Sequence, residues 1–294
     1  MKTFLFLSAF ALLVMSCGNR TTPEPTGTVQ ETTWELTEIW RTDTLLSTCE
    51  SVLFDEKGNR LFVSCINGMP TDKNGQGFIA IVDLEGTITA LPWVEGLNAP
   101  KGMGMYGNTL YVTDIDELVL IDIAEGKVIE RLPVEGASFL NDIDISEDGK
   151  VYFSDSNTGR LWIHEGGETA LWLEGFERPN GLLVEKERVL LTSSGSSDLR
   201  SINRASGTDE VITTEIGAGD GLRFTGLEGH YLVSSWMGEV FLVFPDGSKQ
   251  TLLLTSDQEI NSADFGYHPE KNVVYVPTFF DNRVVAYQLT GPGL

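Results

Sequence analysis

Cysteine and histidine are both scarce in this sequence of 294 residues, which contains three of each. So few cysteines argue against a small scaffold held together by disulfides. No cysteine pair has the CxxC spacing, and no histidine lies close to a cysteine in a pattern that would hold zinc or copper. The sequence therefore argues against a metal–thiolate site.

Positive charge is scarce as well. The chain has 20 Lys and Arg against 43 Asp and Glu, so its formal net charge is -23. Such a surface repels nucleic acid phosphates and anionic lipid head groups, and we therefore expect no nucleic acid partner. The same surface tolerates cations, although a need for solubility alone would also explain the acidic excess.

Long apolar runs are confined to the N-terminus. Met1-Lys2 is followed by an apolar stretch from Phe4 to Met15 and then by Ser16-Cys17. A basic start, a short apolar stretch and a small residue before the cut are typical of an export signal. The stretch "LLVMSC" resembles a bacterial lipobox, whereas an ordinary cleaved signal with an incidental cysteine is the alternative. We expect residues 1–17 to be a lipoprotein signal peptide, with Cys17 as the lipidation site.

Residues 18–33 are rich in Thr, Pro and Gly without periodicity, so they are predicted to be a flexible tether. Because no later segment is long and apolar enough to span a membrane, the expected membrane attachment is the lipid anchor alone. The expected location is the bacterial cell envelope, as a periplasmic or outer-membrane lipoprotein. The protein is expected to be a monomer.

After the tether, helical periodicity is nearly absent and short alternating segments recur between turn signals. Six hairpin patterns occur at steps of 51, 40, 39, 40 and 43 residues, opening at Glu50, Lys101, Asn141, Asn180, Asp220 and about Ala263. A four-stranded unit with this period is typical of a β-propeller blade. Residues 34–294 are therefore predicted to form an all-β domain, a six-bladed β-propeller with four-stranded antiparallel blades. The segment from Trp34 to Asp43 is expected to complete the last blade and close the ring.

In a propeller the first strand of each blade lines the central channel, so the six opening residues converge on one axis. Two carboxylates and two carboxamides occupy four of these positions: Glu50, Asp220, Asn141 and Asn180. Ca²⁺ prefers six to eight oxygen ligands of these types. Each residue alone could be an ordinary turn residue. Four oxygen-bearing side chains in register with the repeat instead favour a site for Ca²⁺, or for another divalent cation such as Mn²⁺ or Zn²⁺.

Other residues near the predicted channel mouth have two interpretations each. Lys101 could bind a substrate anion or a charged intermediate, or it could pair with Glu50 or Asp220. Three aromatic residues are expected to bind substrate, although blade packing would also explain them: Phe139, Trp236 and Phe279. Asp142 and Asp264 could support the site or cap strand ends.

Cys49 and Cys65 flank the first predicted hairpin and fall opposite each other across its two strands. An exported chain meets oxidising conditions, so a cross-strand disulfide is one possibility. Two buried free thiols are the other.

The glutamate that opens the first hairpin and the later "ND", "PNG" and "DG" openings together resemble a known family. This is the senescence marker protein/gluconolactonase/regucalcin family, and the pattern is also similar to the paraoxonases. The resemblance covers Trp34 to Leu294. It implies a six-bladed propeller with one divalent ion, usually Ca²⁺, and often the hydrolysis of lactones or other esters. The implied ligands are Glu50, Asn141, Asn180 and Asp220, and Asp220 matches a suspected general base.

Two positions depart from the pattern of these relatives. Phe139 stands where gluconolactonase-like enzymes tend to have an arginine, and Lys101 stands where the paraoxonases have a histidine. The resemblance therefore implies a Ca²⁺-dependent lactonase or esterase that acts on a small lactone or ester, with Asp220 and Lys101 as candidate catalytic residues. The alternative is a non-catalytic, metal-stabilised lipoprotein that binds a ligand or a partner.

Overall fold

The structure, a computed structural model, describes residues 33–294. The predicted signal peptide, Cys17 and the tether up to residue 32 lie outside these residues. Within them, the one helix is a single 3₁₀ turn at Ser256–Gln258, and no helix is long and apolar enough to span a membrane. The rest of the ordered backbone is β-strand and turn, which confirms the predicted all-β class.

The strands of residues 33–294 form six four-stranded antiparallel sheets, each of which is one blade. Strand β1 (Glu35–Arg41) precedes the first blade in the chain. The first blade contains β2 (Cys49–Asp55), β3 (Arg60–Cys65), β4 (Gly77–Asp83) and β5 (Ile88–Leu97). The second contains β6 (Pro100–Tyr106), β7 (Thr109–Asp114), β8 (Glu117–Asp122) and β9 (Lys127–Pro133). The third contains β10 (Leu140–Ile145), β11 (Val151–Asp155), β12 (Arg160–Glu165) and β13 (Glu168–Glu174).

The remaining blades follow the same order. The fourth contains β14 (Pro179–Val184), β15 (Arg188–Ser193), β16 (Asp198–Asn203) and β17 (Asp209–Thr214). The fifth contains β18 (Gly219–Phe224), β19 (Tyr231–Ser235), β20 (Glu239–Val243) and β21 (Lys249–Leu254). The sixth contains β22 (Gly266–His268), β23 (Val273–Pro277), β24 (Val284–Thr290) and the early strand β1.

The pairing of β1 with β24 closes the ring, as the sequence predicts. The sheet order is β22-β23-β24-β1, so strands from the two ends of the domain share one blade. The Trp40 indole N–H, on β1, also donates to the carbonyl oxygen of Leu84 in the first blade at 2.9 Å. This pairing completes the sixth blade and covers the edge that β24 would otherwise expose.

The apolar core lies between neighbouring blades because each blade has two faces and both must be covered. Between the first and second blades, for example, Phe62 and Ile79 pack with Met103 and Val112, all of them buried. The innermost strands are short and carry mostly buried residues on both faces. This packing fixes the position of the first strand of every blade, which we call the inner strand: β2, β6, β10, β14, β18 and β22.

The first five inner strands all begin with a β-bulge. In the third blade, for example, Leu140 pairs with Asp155 and Ile143 pairs with Phe153, so Asn141 and Asp142 together oppose one residue of β11. The second residue of each of these inner strands, which we call the head residue, lies within the register shift: Glu50, Lys101, Asn141, Asn180 and Asp220. A bulge re-aims a side chain away from the regular ladder.

In each of the first five blades, a serine or threonine of the second strand binds a bulge of its own blade or of the next blade. These residues are Ser64, Thr113, Ser154, Thr192 and Ser234. The Ser154 hydroxyl accepts the Asp142 N–H at 3.1 Å, within its own blade. The Thr192 hydroxyl donates to the Asp220 carbonyl at 2.9 Å, and the Ser234 hydroxyl donates to the Ala263 carbonyl at 2.8 Å, in both cases in the next blade. The hydroxyls therefore satisfy bulged backbone groups and join neighbouring heads.

Cys49 and Cys65 are opposite each other in the β2–β3 register, and both are fully buried free thiols. Burial raises the pKa of the Cys49 thiol to about 12. The sequence leaves open a disulfide or two free thiols, and the structure has two free thiols. A buried, protonated thiol is a poor nucleophile.

Gly181 allows the heads of the fourth and fifth blades to approach. A Cβ atom at this position would lie 1.8 Å from the Asp220 carbonyl oxygen. We expect Gly181→Ala to lower the free energy of unfolding by about 2 kcal/mol, because neither backbone segment can yield without disturbing its bulge. Urea denaturation of the full chain measures the change.

Gly68→Ala is the matched control, since its nearest contact would be the flexible Asn74 side chain at 3.2 Å. We expect this variant to stay within about 0.5 kcal/mol of the unchanged protein. Equal losses in the two variants would contradict the close approach of the heads.

Candidate active site and cation site

The five head residues converge on a cavity of about 420 Å³ at one end of the central channel. Every residue that the sequence analysis assigns to the site lines it: Glu50, Lys101, Phe139, Asn141, Asn180, Asp220, Trp236 and Phe279. We call this space the head cavity. The blade repeat places side chains from residues 50 to 279 around one volume, because each blade contributes the start of its inner strand or an adjacent loop.

Two buried carboxyl groups lie in the head cavity. Burial raises the pKa of Glu50 well above its ordinary value, and the negative charges of Asp220 and Asp264 raise it further. Burial and the charge of Asp264 likewise raise the pKa of Asp220. Two buried carboxylates of like charge are costly unless a cation compensates them.

Three oxygen atoms of the head cavity have no hydrogen-bond partner among residues 33–294: Glu50 Oε2, Asn180 Oδ1 and Asp220 Oδ1. The fourth predicted ligand, Asn141, donates from Nδ2 to Ser156 Oγ at 3.0 Å, which leaves its oxygen as the available acceptor. A buried polar atom without a partner is destabilising, and several such oxygens together are the ligand set that a hard divalent cation requires. The side chains therefore fit a divalent cation.

The carboxamides are essential to this fit. The described part of the chain has no cluster of three or more His, Cys, Asp or Glu side chains arranged to hold a metal ion. Without Asn141 and Asn180, only Glu50 and Asp220 would remain. A set of two carboxylates and two amide oxygens suits Ca²⁺ better than it suits metals that prefer nitrogen or sulfur.

Lys101 is almost completely buried, with 1% of its surface exposed. Its ammonium donates to the carbonyl oxygens of Pro70 at 3.0 Å and Ala99 at 2.9 Å, and it lies 4.4 Å from the centre of the Phe139 ring. No carboxylate oxygen of residues 33–294 lies within 4 Å of it, so the ion pair considered from the sequence is not formed. Burial lowers the pKa of Lys101 to about 8, although the charge of Glu50 opposes the change.

Aromatic rings form one wall of the head cavity. The rings of Trp236 and Phe279 meet edge to face with centroids 5.5 Å apart, and those of Phe279 and Phe280 do so at 4.7 Å. On another side, Phe139 is held by its backbone N–H, which donates to Asp155 Oδ1 at 3.1 Å. Such a wall suits an apolar ring or chain of a small ligand.

Asp142 and Asp264 support the backbone around the head cavity instead of lining it. Asp142 accepts the N–H groups of Ile143 and Leu182 at 2.8 and 2.7 Å, and so joins the third and fourth blades. Asp264 accepts the Ser51 hydroxyl at 2.5 Å and lies 2.9 Å from the Arg223 guanidinium. Both residues therefore serve strand ends and blade contacts.

The sequence analysis missed several residues of the lining, and two groups of them bear on the chemistry of the cavity. Met69 and Pro70 belong to the loop between β3 and β4, which has no repeat pattern that would place it over the channel. Arg178 also lines the cavity and lies two residues before Asn180, as Phe139 lies two residues before Asn141. This shared spacing could have identified Arg178, because equivalent positions of neighbouring blades face the same axis.

A second depression, of about 480 Å³, lies elsewhere on the described domain and includes Glu185, Lys186 and Arg204. The Arg204 side chain there is already bonded to the Tyr152 hydroxyl and to two backbone carbonyl oxygens, those of Glu185 and Lys186. The donor groups of Arg204 therefore already have partners, in contrast to the unpartnered oxygens of the head cavity.

No protein-family model and no curated protein matches this sequence. Solved structures do match the fold. A gluconolactonase from Xanthomonas campestris is 14% identical, with a TM-score of 0.68, over 83% of this chain and 86% of that one. A streptogramin B lyase is 11% identical, with a TM-score of 0.63, over 87% of this chain and 98% of that one.

A third structure is a catalytically inactive histidine-to-alanine variant of virginiamycin B lyase from Staphylococcus aureus, with quinupristin. It is 12% identical, with a TM-score of 0.60, over 88% of this chain and all of that one. At these identities the similarities show a shared fold. They do not transfer an activity, because one fold carries many functions.

The unpartnered oxygens lead to a prediction about cation binding. In the full chain, Asp220→Asn, or Asn141→Ala combined with Asn180→Ala, is expected to weaken Ca²⁺ binding by about 100-fold. Isothermal titration calorimetry measures the affinity. EDTA is expected to lower the melting temperature of the unchanged protein, because it leaves the buried carboxylates uncompensated.

Glu125→Gln, in an exposed turn of the second blade, is the matched control and should leave Ca²⁺ affinity unchanged. If the Asn141→Ala, Asn180→Ala double variant binds Ca²⁺ as tightly as the unchanged protein, the cation site is wrongly placed.

Proposed function

We propose that this protein is a Ca²⁺-dependent hydrolase of the lactonase or esterase type, acting on a small lactone or ester in the head cavity. The observation that carries the proposal is the combination of unpartnered carboxylate and carboxamide oxygens with an aromatic wall in one cavity of about 420 Å³. The fold shared with a gluconolactonase is consistent with it. We further propose that Cys17 carries a lipid that attaches the domain to the bacterial envelope.

Glu50, Asn141, Asn180 and Asp220 would hold the cation. Bound there, Ca²⁺ would supply Lewis-acid polarisation of an ester carbonyl. The aromatic wall would bind the apolar face of the substrate, and the depth of the cavity would exclude most bulk water from the ester. The chain's own side chains would then carry the proton transfers.

Asp220 is the residue best suited to act as general base. Its carboxylate lines the head cavity and has one oxygen, Oδ1, without a hydrogen-bond partner among residues 33–294, and a bound cation would keep it in the ionised form that a base requires. It would take a proton from the attacking water as the new C–O bond forms. When the ester C–O bond breaks, it would return the proton to the leaving alkoxide, so the products are an alcohol hydroxyl and a carboxylic acid, which then ionises and releases its proton to water.

Lys101 has a positioning role in this proposal. Two of its three ammonium donors are directed at the carbonyl oxygens of Pro70 and Ala99, so it fixes the Met69–Pro70 part of the lining. Its contact with Phe139 also holds that ring in place.

The lyase structures offer a second reaction type, but one observation argues against it here. The inactive variant shows that a histidine is required in virginiamycin B lyase. None of His164, His230 and His268 lines the head cavity. The non-catalytic alternative is a metal-stabilised binding lipoprotein that would use the same cavity. An activity assay distinguishes it from the hydrolase.

The full chain should be assayed against a panel of lactones and aryl esters with Ca²⁺, Mn²⁺, Zn²⁺ and EDTA. We expect turnover that depends on Ca²⁺, and at saturating Ca²⁺ Asp220→Asn should lower kcat by roughly 100-fold or more because it removes the base. Asp246→Asn, in an exposed turn of the fifth blade, is the control and should leave kcat unchanged.

Absence of turnover on every lactone and ester, with Ca²⁺ only raising the melting temperature, would overturn the hydrolase and favour the binding protein. Activity that persists fully in EDTA would overturn the dependence on a cation.

A further inference from the structure

Arg178 is an exposed side chain on the lining of the head cavity, and the proposed chemistry does not use it. It immediately precedes β14, whose head residue is the proposed ligand Asn180. Ser194, at the end of the neighbouring strand, lines the cavity beside it. The guanidinium therefore belongs to the same cavity as the cation ligands.

Arg178 differs from every other arginine of residues 33–294. Each of the other nine lies within 4 Å of a carboxylate oxygen: Arg41, Arg60, Arg131, Arg160, Arg188, Arg200, Arg204, Arg223 and Arg283. Arg178 has no such partner within the described residues. In a chain with more than twice as many acidic as basic residues, its guanidinium is thus the one among residues 33–294 that is left for the carboxylate of a ligand.

The backbone of Arg178 is fixed although its side chain is exposed. Its carbonyl oxygen accepts the Ser194 N–H at 3.0 Å and the Ser194 hydroxyl at 3.3 Å. Its φ angle is +52°, in the left-handed region that costs a non-glycine residue about 1 kcal/mol. The protein thus holds the start of this side chain firmly at the edge of the cavity.

Arg178 is also the cationic side chain of the lining that remains available to a ligand. Lys101, the other cation there, is buried and bonded to two backbone carbonyl oxygens. With a divalent cation bound to Glu50 and Asp220, the lining as a whole would carry net positive charge. Such a cavity favours an anion in spite of the negative charge of the whole protein.

We infer that the substrate carries a carboxylate and that Arg178 binds it, so that this residue determines specificity. The inference rests on the proposed hydrolase function and adds a substrate class to it: a lactone or ester with a free carboxylate outside the reacting group. A planar guanidinium matches a carboxylate through two parallel N–H···O bonds. The carboxylate at the edge would place the rest of the molecule against the aromatic wall and the ester beside the cation ligands.

A matched pair of substrates tests the specificity. The full chain with Ca²⁺ is assayed on γ-butyrolactone and on the same ring bearing a carboxylate at the γ-carbon. We expect the unchanged protein to prefer the carboxylate. Arg178→Gln should raise KM for it by roughly 10- to 100-fold while leaving kcat and the neutral lactone nearly unaffected.

Arg178→Lys should restore part of the affinity, because it keeps the charge and loses the paired hydrogen bonds. Lys57→Gln is the matched control, since it removes an exposed positive charge at the turn between β2 and β3 and should change neither KM.

A binding measurement separates this inference from the proposed activity. Calorimetry compares cyclopentanecarboxylate with its neutral amide, on the unchanged protein and on Arg178→Gln, with Ca²⁺ present. Carboxylate-selective binding that Arg178→Gln abolishes supports the anion site, even if no ester is hydrolysed and the hydrolase proposal fails. Equal binding of the two probes, or hydrolysis of both lactones with equal KM in Arg178→Gln and the unchanged protein, would overturn the inference and leave the hydrolase intact.

Discussion

The bulge at the start of the first five inner strands, bound by serine or threonine hydroxyls of the same or the preceding blade, is the feature on which the head cavity depends. In a regular ladder the side chains of Asn141 and Asp220 would point out of a sheet face, toward the interblade core. The extra residue in the bulge instead frees the head side chain from the ladder. Hydroxyls such as that of Thr192 then satisfy the displaced backbone and join one head to the next. The same small structure repeated around a ring thus produces a set of converging side chains.

This arrangement places buried carboxyl groups close together in and beside the head cavity, where their negative charges repel each other. Glu50 and Asp220 are buried with raised pKa values, and Asp264 adds negative charge nearby. In most of the molecule, buried polar groups are satisfied by backbone or by partners, as Asp142 is by two N–H groups. Other buried side-chain atoms also lack a partner, such as Thr158 Oγ1 and Ser193 Oγ, but the head cavity brings together three such oxygens from carboxylate and carboxamide groups, and a cation is the simplest group that removes the cost.

The sequence predicts the structure correctly for features that repeat with the blade period. The head residues and the closing role of β1 could be predicted, because strand spacing converts directly into position around the axis. The loop with Met69 and Pro70 could not, since it belongs to one blade and has no counterpart in the repeat. The state of Cys49 and Cys65 was likewise undecided, because opposite positions across two strands are compatible with both a disulfide and two thiols.

By itself, the sequence determined the class of fold, the number of blades and which oxygen-bearing side chains share the channel mouth. These follow from local patterns of alternation and turns, repeated at one period. The tertiary structure alone decided that Lys101 donates to the carbonyls of Pro70 and Ala99, whereas Arg178 has no carboxylate partner among residues 33–294. The physical reason is that the hydrogen-bond and ion-pair partners of a side chain depend on the distances between blades and loops. The repeat period does not specify those distances.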